Sequence, residues 1–184
     1  MSWWQQLKAW LQTVGSLRIV HLPTVAAATL AAADGDSEYL AVLQEAYAQQ
    51  VQPAEPAQKM GSFPTEAAVL ILFGILEDQV NNGGFIQLIQ NGYGPLLFDS
   101  PFAQDLTRWG AAPLAELTRQ AAAIYHAHQP YLERPRALHE FSALYREFQL
   151  FEPLEEQFYA LLDHQTGVVR AYVAQHLREF ARVE

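Results

Sequence analysis

The chain has 184 residues, about half of them apolar and 17% charged, a composition typical of one folded domain with a sizeable core. It has no cysteine, which excludes disulfides and thiolate chemistry, and its net charge of −9 disfavours direct binding to nucleic-acid phosphates. No apolar run reaches the roughly 18–20 residues that span a bilayer. We therefore expect a cytoplasmic protein that binds neither nucleic acid directly nor a membrane.

The first predicted element is an amphipathic helix over residues 1–15. Its apolar face favours packing against the core or against a second copy of the chain. Lys8 alone supplies positive charge, so membrane-surface binding, which usually needs a basic helix, is the weaker interpretation. The residues at helical spacing are Trp3, Trp4, Leu7, Trp10, Leu11 and Val14.

Two further helices are predicted before a long loop. The alanine-rich stretch from Thr24 to Ala33 favours the first. The second follows the turn residues 34–37, and Gln52–Pro64, with its three prolines, should be the loop. The inward face of the second helix is predicted to carry Tyr39, Leu40, Leu43, Ala46 and Tyr47.

A helix over about residues 65–80 is predicted to be the buried centre of the fold. Thr65 can cap its start, and its middle, Ala67 to Leu76, is apolar on every side. Glu77 and Asp78 lie at its end, where carboxylates are unfavourable. We expect them to be compensated by an arginine, by backbone donors or by a bound cation.

Helical patterns continue through the second half of the chain, with no repeat and no alternation with strands. The sequence therefore predicts an all-α protein, a single domain over residues 1–184 with about ten helices around the central one. These later helices are marked by residues 100–110, 113–129, 138–148, 154–162 and 169–180.

An Asn-Asn-Gly-Gly break follows the central helix. Asparagine and glycine tolerate positive φ, so this break should end one helix and aim the next, with side-chain amides capping both ends. Alternatively, the amides line a small polar pocket, because each offers a donor and an acceptor. The motif comprises Glu77, Asp78, Gln79, Asn81, Asn82, Gly83, Gly84, Phe85, Gln87 and Asn91.

No residue pattern indicates catalysis, a cofactor or a metal. Carboxamides are poor acids, bases and nucleophiles. His126 and His128 stand two apart, roughly 200° around a helix, so they cannot ligate one ion within it. His139-Glu140 lacks the second histidine of a zincin motif. We expect a protein that is not an enzyme.

The negative charge is concentrated between Ile19 and Thr107. This stretch holds ten acidic residues and one basic residue, Lys59, whereas the remainder is neutral. The electrostatics therefore favour a basic protein as the partner. The candidate partner-binding residues are Asp34, Asp36, Glu38, Glu45, Asp99 and Asp105.

The central motif resembles that of a bacterial all-α family of mostly uncharacterised proteins, whose named member is a DNA mimic that binds a transcriptional regulator. The resemblance covers residues 65–181 and implies an all-α fold and a DNA-binding partner. Nine charges over roughly 40 Å are sparser than the charge of duplex DNA, one per about 1.7 Å, and a homodimer would pool two acidic halves. The downstream matching residues are Leu154, Phe158, Tyr159, Tyr172, His176 and Phe180.

Three functional hypotheses follow. The first is a non-enzymatic, homodimeric interaction protein that binds a basic partner, such as a DNA-binding regulator, through an acidic surface. The second is a small-molecule binding protein or enzyme that uses an amide-lined pocket between Asn81 and Asn91, with Glu77 or Asp78 as its only ionisable members. The third is a structural subunit that oligomerises through Trp3, Trp4 and Trp10.

Overall fold

The computed structural model describes residues 22–49, 65–136 and 138–184, and these ranges are almost entirely helical. The all-α prediction is confirmed. The predicted N-terminal helix, residues 1–15, and the predicted loop, Gln52–Pro64, lie outside the described residues. No helix in the described ranges is long and apolar enough to cross a membrane.

Nine helices and two short strands make up the described ranges. The strands β1 and β2 pair in parallel, with Thr24 opposite Arg182. In chain order the elements are β1 (Thr24–Val25), α1 (Ala27–Ala32), α2 (Asp36–Ala48), α3 (Thr65–Gln90), α4 (Gly94–Phe98), α5 (Phe102–Arg108), α6 (Ala112–Leu132), α7 (Leu138–Glu147), α8 (Glu152–Gln175), α9 (Leu177–Phe180) and β2 (Arg182–Val183).

The chain divides into two compact units. The terminal unit comprises the chain up to Gly74 together with Thr166–Glu184, and the middle unit comprises Ile75–Gln165. Both boundaries fall inside continuous helices, α3 and α8. The single domain expected over residues 1–184 stays a prediction.

Helix α2 organises the terminal unit. Its predicted inward face is buried at Tyr39, Leu40, Leu43 and Tyr47, whereas Ala46 is half-buried. The Tyr47 hydroxyl donates to the Phe180 carbonyl at 2.5 Å. Because buried polar groups need partners, this bond fixes α9 against α2.

Helix α8 is longer than the sequence predicts. The two helices expected at residues 154–162 and 169–180 form one helix that continues to Gln175. Gly167 does not end it, although an isolated glycine weakens a helix. A Cβ at Gly167 would lie 3.0 Å from the Asp36 Oδ2, so this glycine lets the start of α2 approach α8 closely.

The middle unit packs around Phe85, which is fully buried. Its ring centroid lies 5.4 Å from that of Phe151, 6.4 Å from that of Phe98 and 6.5 Å from that of Phe158. These distances are typical of favourable aromatic pairs. The single ring therefore joins α3 to α4, to the start of α8 and to the turn that precedes it.

Gly94 and Pro95 open helix α4. One predicted helix end in the middle unit is wrong. Helix α6 was expected to end at Pro130, but it runs to Leu132. Proline removes only its own N–H, and the Glu133 N–H still donates to the Gln129 carbonyl at 2.9 Å.

Candidate functional site

The Asn-Asn-Gly-Gly break interrupts α3 at Gly83 and Gly84. The helix before it runs to Asn82, two residues beyond the predicted end at Val80. Gly84 has φ 68° and ψ −172°, a conformation that is almost confined to glycine. A Cβ at Gly84 would also overlap the carboxylate of Glu155. The break therefore depends on glycine at position 84 for both backbone conformation and space.

Side-chain amides surround the carboxylate of Asp78. Gln79 donates to its Oδ2 at 2.7 Å, and Asn82 donates to its Oδ1 at 2.9 Å and to its carbonyl at 2.8 Å. Asn91 in turn donates to the Gln79 Oε1 at 2.6 Å. For Asp78, the compensating donors at this helix end therefore include carboxamides of the motif itself. Gln79 is buried, whereas Asn81, Asn82 and Asn91 are exposed.

Helices α7 and α8 satisfy the backbone groups that the break leaves free. The Tyr145 hydroxyl donates to the Gly83 carbonyl at 2.6 Å, and the Tyr159 hydroxyl donates to the Val80 carbonyl at 3.0 Å. The Phe85 N–H donates to the Glu155 Oε1 at 2.9 Å. The carboxylate therefore lies at the start of the second helical arm, where the helix dipole favours negative charge.

Burial raises the pKa of the Glu155 carboxyl above its usual range. The hydrogen bond from Phe85 opposes this shift, and the nearby charge of Glu152 adds to it. Burial and the charge of Glu155 also raise the pKa of the Tyr145 and Tyr159 hydroxyls. Both tyrosine hydroxyls are therefore protonated at neutral pH and act as hydrogen-bond donors that cap the break.

Sequence reasoning missed the role of Glu155 and Tyr145. Neither residue belongs to the predicted motif or to the predicted partner-binding acids. One signal was available, because Glu155 and Tyr159 stand four apart and so share a helix face. Nothing in the sequence links them to a break about 70 residues earlier.

Glu155→Gln should change how stability depends on pH. Between the ordinary carboxyl pKa and the raised pKa of Glu155, the folded state binds more protons than the unfolded state, so stability falls as pH rises. Glutamine keeps an oxygen that can accept from Phe85 but carries no charge. The variant should therefore gain unfolding free energy relative to the native chain as pH rises through this window.

Urea denaturation at a series of pH values measures this difference. Glu156→Gln, which removes an exposed carboxylate one residue away, is the matched control for the loss of one negative charge. A free-energy difference between the two variants that stays constant with pH would contradict the prediction.

The six predicted partner-binding acids are divided between the two units. Asp34, Asp36, Glu38 and Glu45 belong to the terminal unit, and Asp99 and Asp105 to the middle unit. Three of them face a basic side chain, and the structure brings Asp34 and Glu38 together. The contacts are Asp36 to Arg170 at 3.6 Å, Asp99 to His126 at 2.8 Å, Asp105 to Arg108 at 3.1 Å, and the Asp34 N–H to Glu38 at 2.7 Å.

The division into two units assigns most of the negative charge to the middle unit. The middle unit holds twelve acidic and five basic residues, so it carries −7 of the net −9. In α8, no lysine or arginine precedes Arg170. Glu152, Glu156 and Asp163 are exposed there and stand four and seven residues apart, which places them on one face of the helix. None of these three residues is among the six predicted partner-binding acids.

Comparison with known proteins agrees with the resemblance found in the sequence. The family model described as DMP19-like protein matches residues 61–176. A relative, the DNA mimic protein DMP19 of Neisseria meningitidis serogroup B (strain ATCC BAA-335 / MC58), is 28% identical over 115 residues, which cover 62% of this chain and 70% of the relative. The family match contains the whole break together with its caps Tyr145, Glu155 and Tyr159. The chain therefore belongs to the DMP19-like protein family.

Proposed function

We propose that the protein is a non-enzymatic DNA mimic that binds a basic, DNA-binding protein, such as a transcriptional regulator, through acidic side chains on its surface. The observation that carries this proposal is the charge of −7 on the middle unit, the unit that also contains the family motif. A relative is named a DNA mimic protein, which supports the same function.

The exposed carboxylates of α8 illustrate how such a surface would work. A helix rises about 1.5 Å per residue, so Glu152 and Glu156 are separated by about 6 Å along the axis, and Glu156 and Asp163 by about 10.5 Å. One DNA strand carries a phosphate about every 3.4 Å. One row of carboxylates is sparser than DNA, and we therefore propose that the protein acts as a homodimer, which doubles the acidic surface offered to the partner.

Competition with duplex DNA tests this function. DNA-binding proteins from the host are enriched on heparin and passed over the immobilised native chain at low salt. A retained protein is then purified and bound to fluorescent duplex DNA, and the native chain is added. We expect the chain to displace the duplex, and the displacement to weaken steeply as salt is raised, because exposed charges are screened.

Two results would count against the proposal. One is that every retained protein keeps its duplex when the chain is in excess. The other is displacement that does not depend on salt, since charge complementarity could not then be its cause.

A further inference from the structure

We propose that arginine side chains of the basic partner dock on one face of α7 and α8, built from two exposed tyrosines and the carboxylates beside them. This inference rests on the proposed function and names the surface and the partner's chemistry. We call this surface the tyrosine face; its residues are Tyr145, Glu152, Glu156, Tyr159 and Asp163.

The two tyrosine rings of this face are exposed but held in place. Tyr145 is 38% and Tyr159 is 52% exposed. Their hydroxyls are bonded to the carbonyls of Gly83 and Val80, so the rings cannot turn away without breaking these bonds. A ring fixed in this way can receive a ligand with little loss of conformational entropy.

Elsewhere the chain covers tyrosine rings with its own arginines. The guanidinium of Arg136 lies 4.7 Å from the ring centre of Tyr131, and that of Arg170 lies 4.6 Å from the ring centre of Tyr39. Within the described parts of the chain, no arginine stacks in this way on Tyr145 or Tyr159. These two rings therefore remain available to a cation from another molecule.

The carboxylates beside the rings favour arginine in particular. Glu152, Glu156 and Asp163 share the exposed side of α8 with Tyr159, which stands three residues after Glu156 and four before Asp163. A guanidinium can stack on an aromatic ring and pair with a carboxylate at the same time, whereas a lysine ammonium is a strongly hydrated point charge. The tyrosine face should therefore discriminate arginine from lysine more strongly than a purely acidic surface would.

Two labelled peptides of equal length, oligo-arginine and oligolysine, test the inference by titration with the full chain. We expect tighter binding of oligo-arginine. Replacing both tyrosines with leucine should weaken oligo-arginine binding about five- to tenfold and oligolysine binding clearly less, because cation–π contacts favour arginine over lysine.

Replacing both tyrosines with phenylalanine is the matched control, because it removes the same two hydroxyls and keeps both rings. This pair should keep the preference for arginine. Tyr131→Leu is a second control, since the Tyr131 ring is already stacked by Arg136. If the leucine pair does not fold, Glu152→Gln with Glu156→Gln decides the question, because both side chains are exposed and their loss should weaken binding of both peptides.

The inference would be overturned if the folded variant with leucine at positions 145 and 159 kept the native preference for arginine. It would also be overturned if the variant with glutamine at positions 152 and 156 bound both peptides as tightly as the native chain. The proposed function would stand if the leucine pair still displaced duplex DNA from the partner as the native chain does. Conversely, the leucine pair could lose the preference for arginine while the native chain displaces no duplex DNA from any partner. That result would overturn the proposed function and support the tyrosine face.

Discussion

Replacing Gly84 with alanine is expected to destabilise the protein by about 2–6 kcal/mol, the sum of two costs. Its φ of 68° with ψ near 180° is nearly confined to glycine, and holding another residue there costs about 1–3 kcal/mol. The new methyl group would also displace the Glu155 carboxylate, which then leaves the Phe85 N–H without its partner, at a further cost of about 1–3 kcal/mol. Chemical denaturation followed by circular dichroism measures the loss.

Two other glycines separate these costs. Gly92 has φ 87° but open space around its Cβ position, so Gly92→Ala should cost only about 1–2 kcal/mol. Gly35 has extended backbone and open space but is the N-cap of α2, so Gly35→Ala should cost no more than about 1 kcal/mol. If Gly84→Ala cost no more than Gly92→Ala, the contact with Glu155 would have no energetic weight.

A variant that combines Gly84→Ala with Glu155→Ala tests the contact between these two residues directly. Truncating Glu155 to alanine removes the carboxylate that the Gly84→Ala methyl group would strike. The two substitutions together should therefore destabilise the protein by clearly less than the sum of the single effects, by the difference expected for residues in contact, about 0.5–3 kcal/mol. Strict additivity would show that the methyl group is accommodated without moving Glu155.

Most of the helical fold could be predicted, because its evidence lies in short stretches of sequence. The spacing of Tyr39, Leu40, Leu43 and Tyr47 reports which side of α2 is buried, and all four are buried. Such periodicity depends only on residues within a few turns of one another. Gly92 likewise has the left-handed backbone expected of a residue that ends a helix.

The errors occur where distant contacts override a local signal. Gly167 and Pro130 are helix breakers in isolation, yet neither of them ends its helix. Gly167 stays helical in α8 while making room for Asp36, which lies 131 positions earlier in the chain. Pro130 falls in the last turn of α6, where it removes only one hydrogen bond. A single sequence does not show which use a glycine or proline serves.

The candidate site could be predicted only where its evidence is local in the sequence. The Asn-Asn-Gly-Gly motif could be recognised from the sequence, because the break itself requires these residue types. The caps Tyr145, Glu155 and Tyr159 come from 62 to 79 positions away, and no spacing rule connects them to the motif. The predicted acidic stretch runs from residue 19 to 107, whereas the structural division assigns −7 of the net charge to the unit of residues 75–165.

Phe85→Ala should destabilise the protein by about 3–5 kcal/mol, the usual cost of truncating a buried phenylalanine. Its ring is fully buried and contacts the rings of Phe98, Phe151 and Phe158. The loss therefore includes buried apolar area, three aromatic contacts and the cavity that remains between them. Urea or guanidinium denaturation measures the effect from the transition midpoint and its slope.

Phe85→Leu is the matched control, because it keeps most of the volume and should cost clearly less than alanine, about 1–2 kcal/mol. Both substitutions leave the Phe85 N–H in place, so the bond to Glu155 and the pH response of that carboxyl should survive. An alanine variant that also lost this pH response would show that the ring positions the cap. A response retained at reduced stability would show that the packing of the middle unit and the capping of the break are separate contributions.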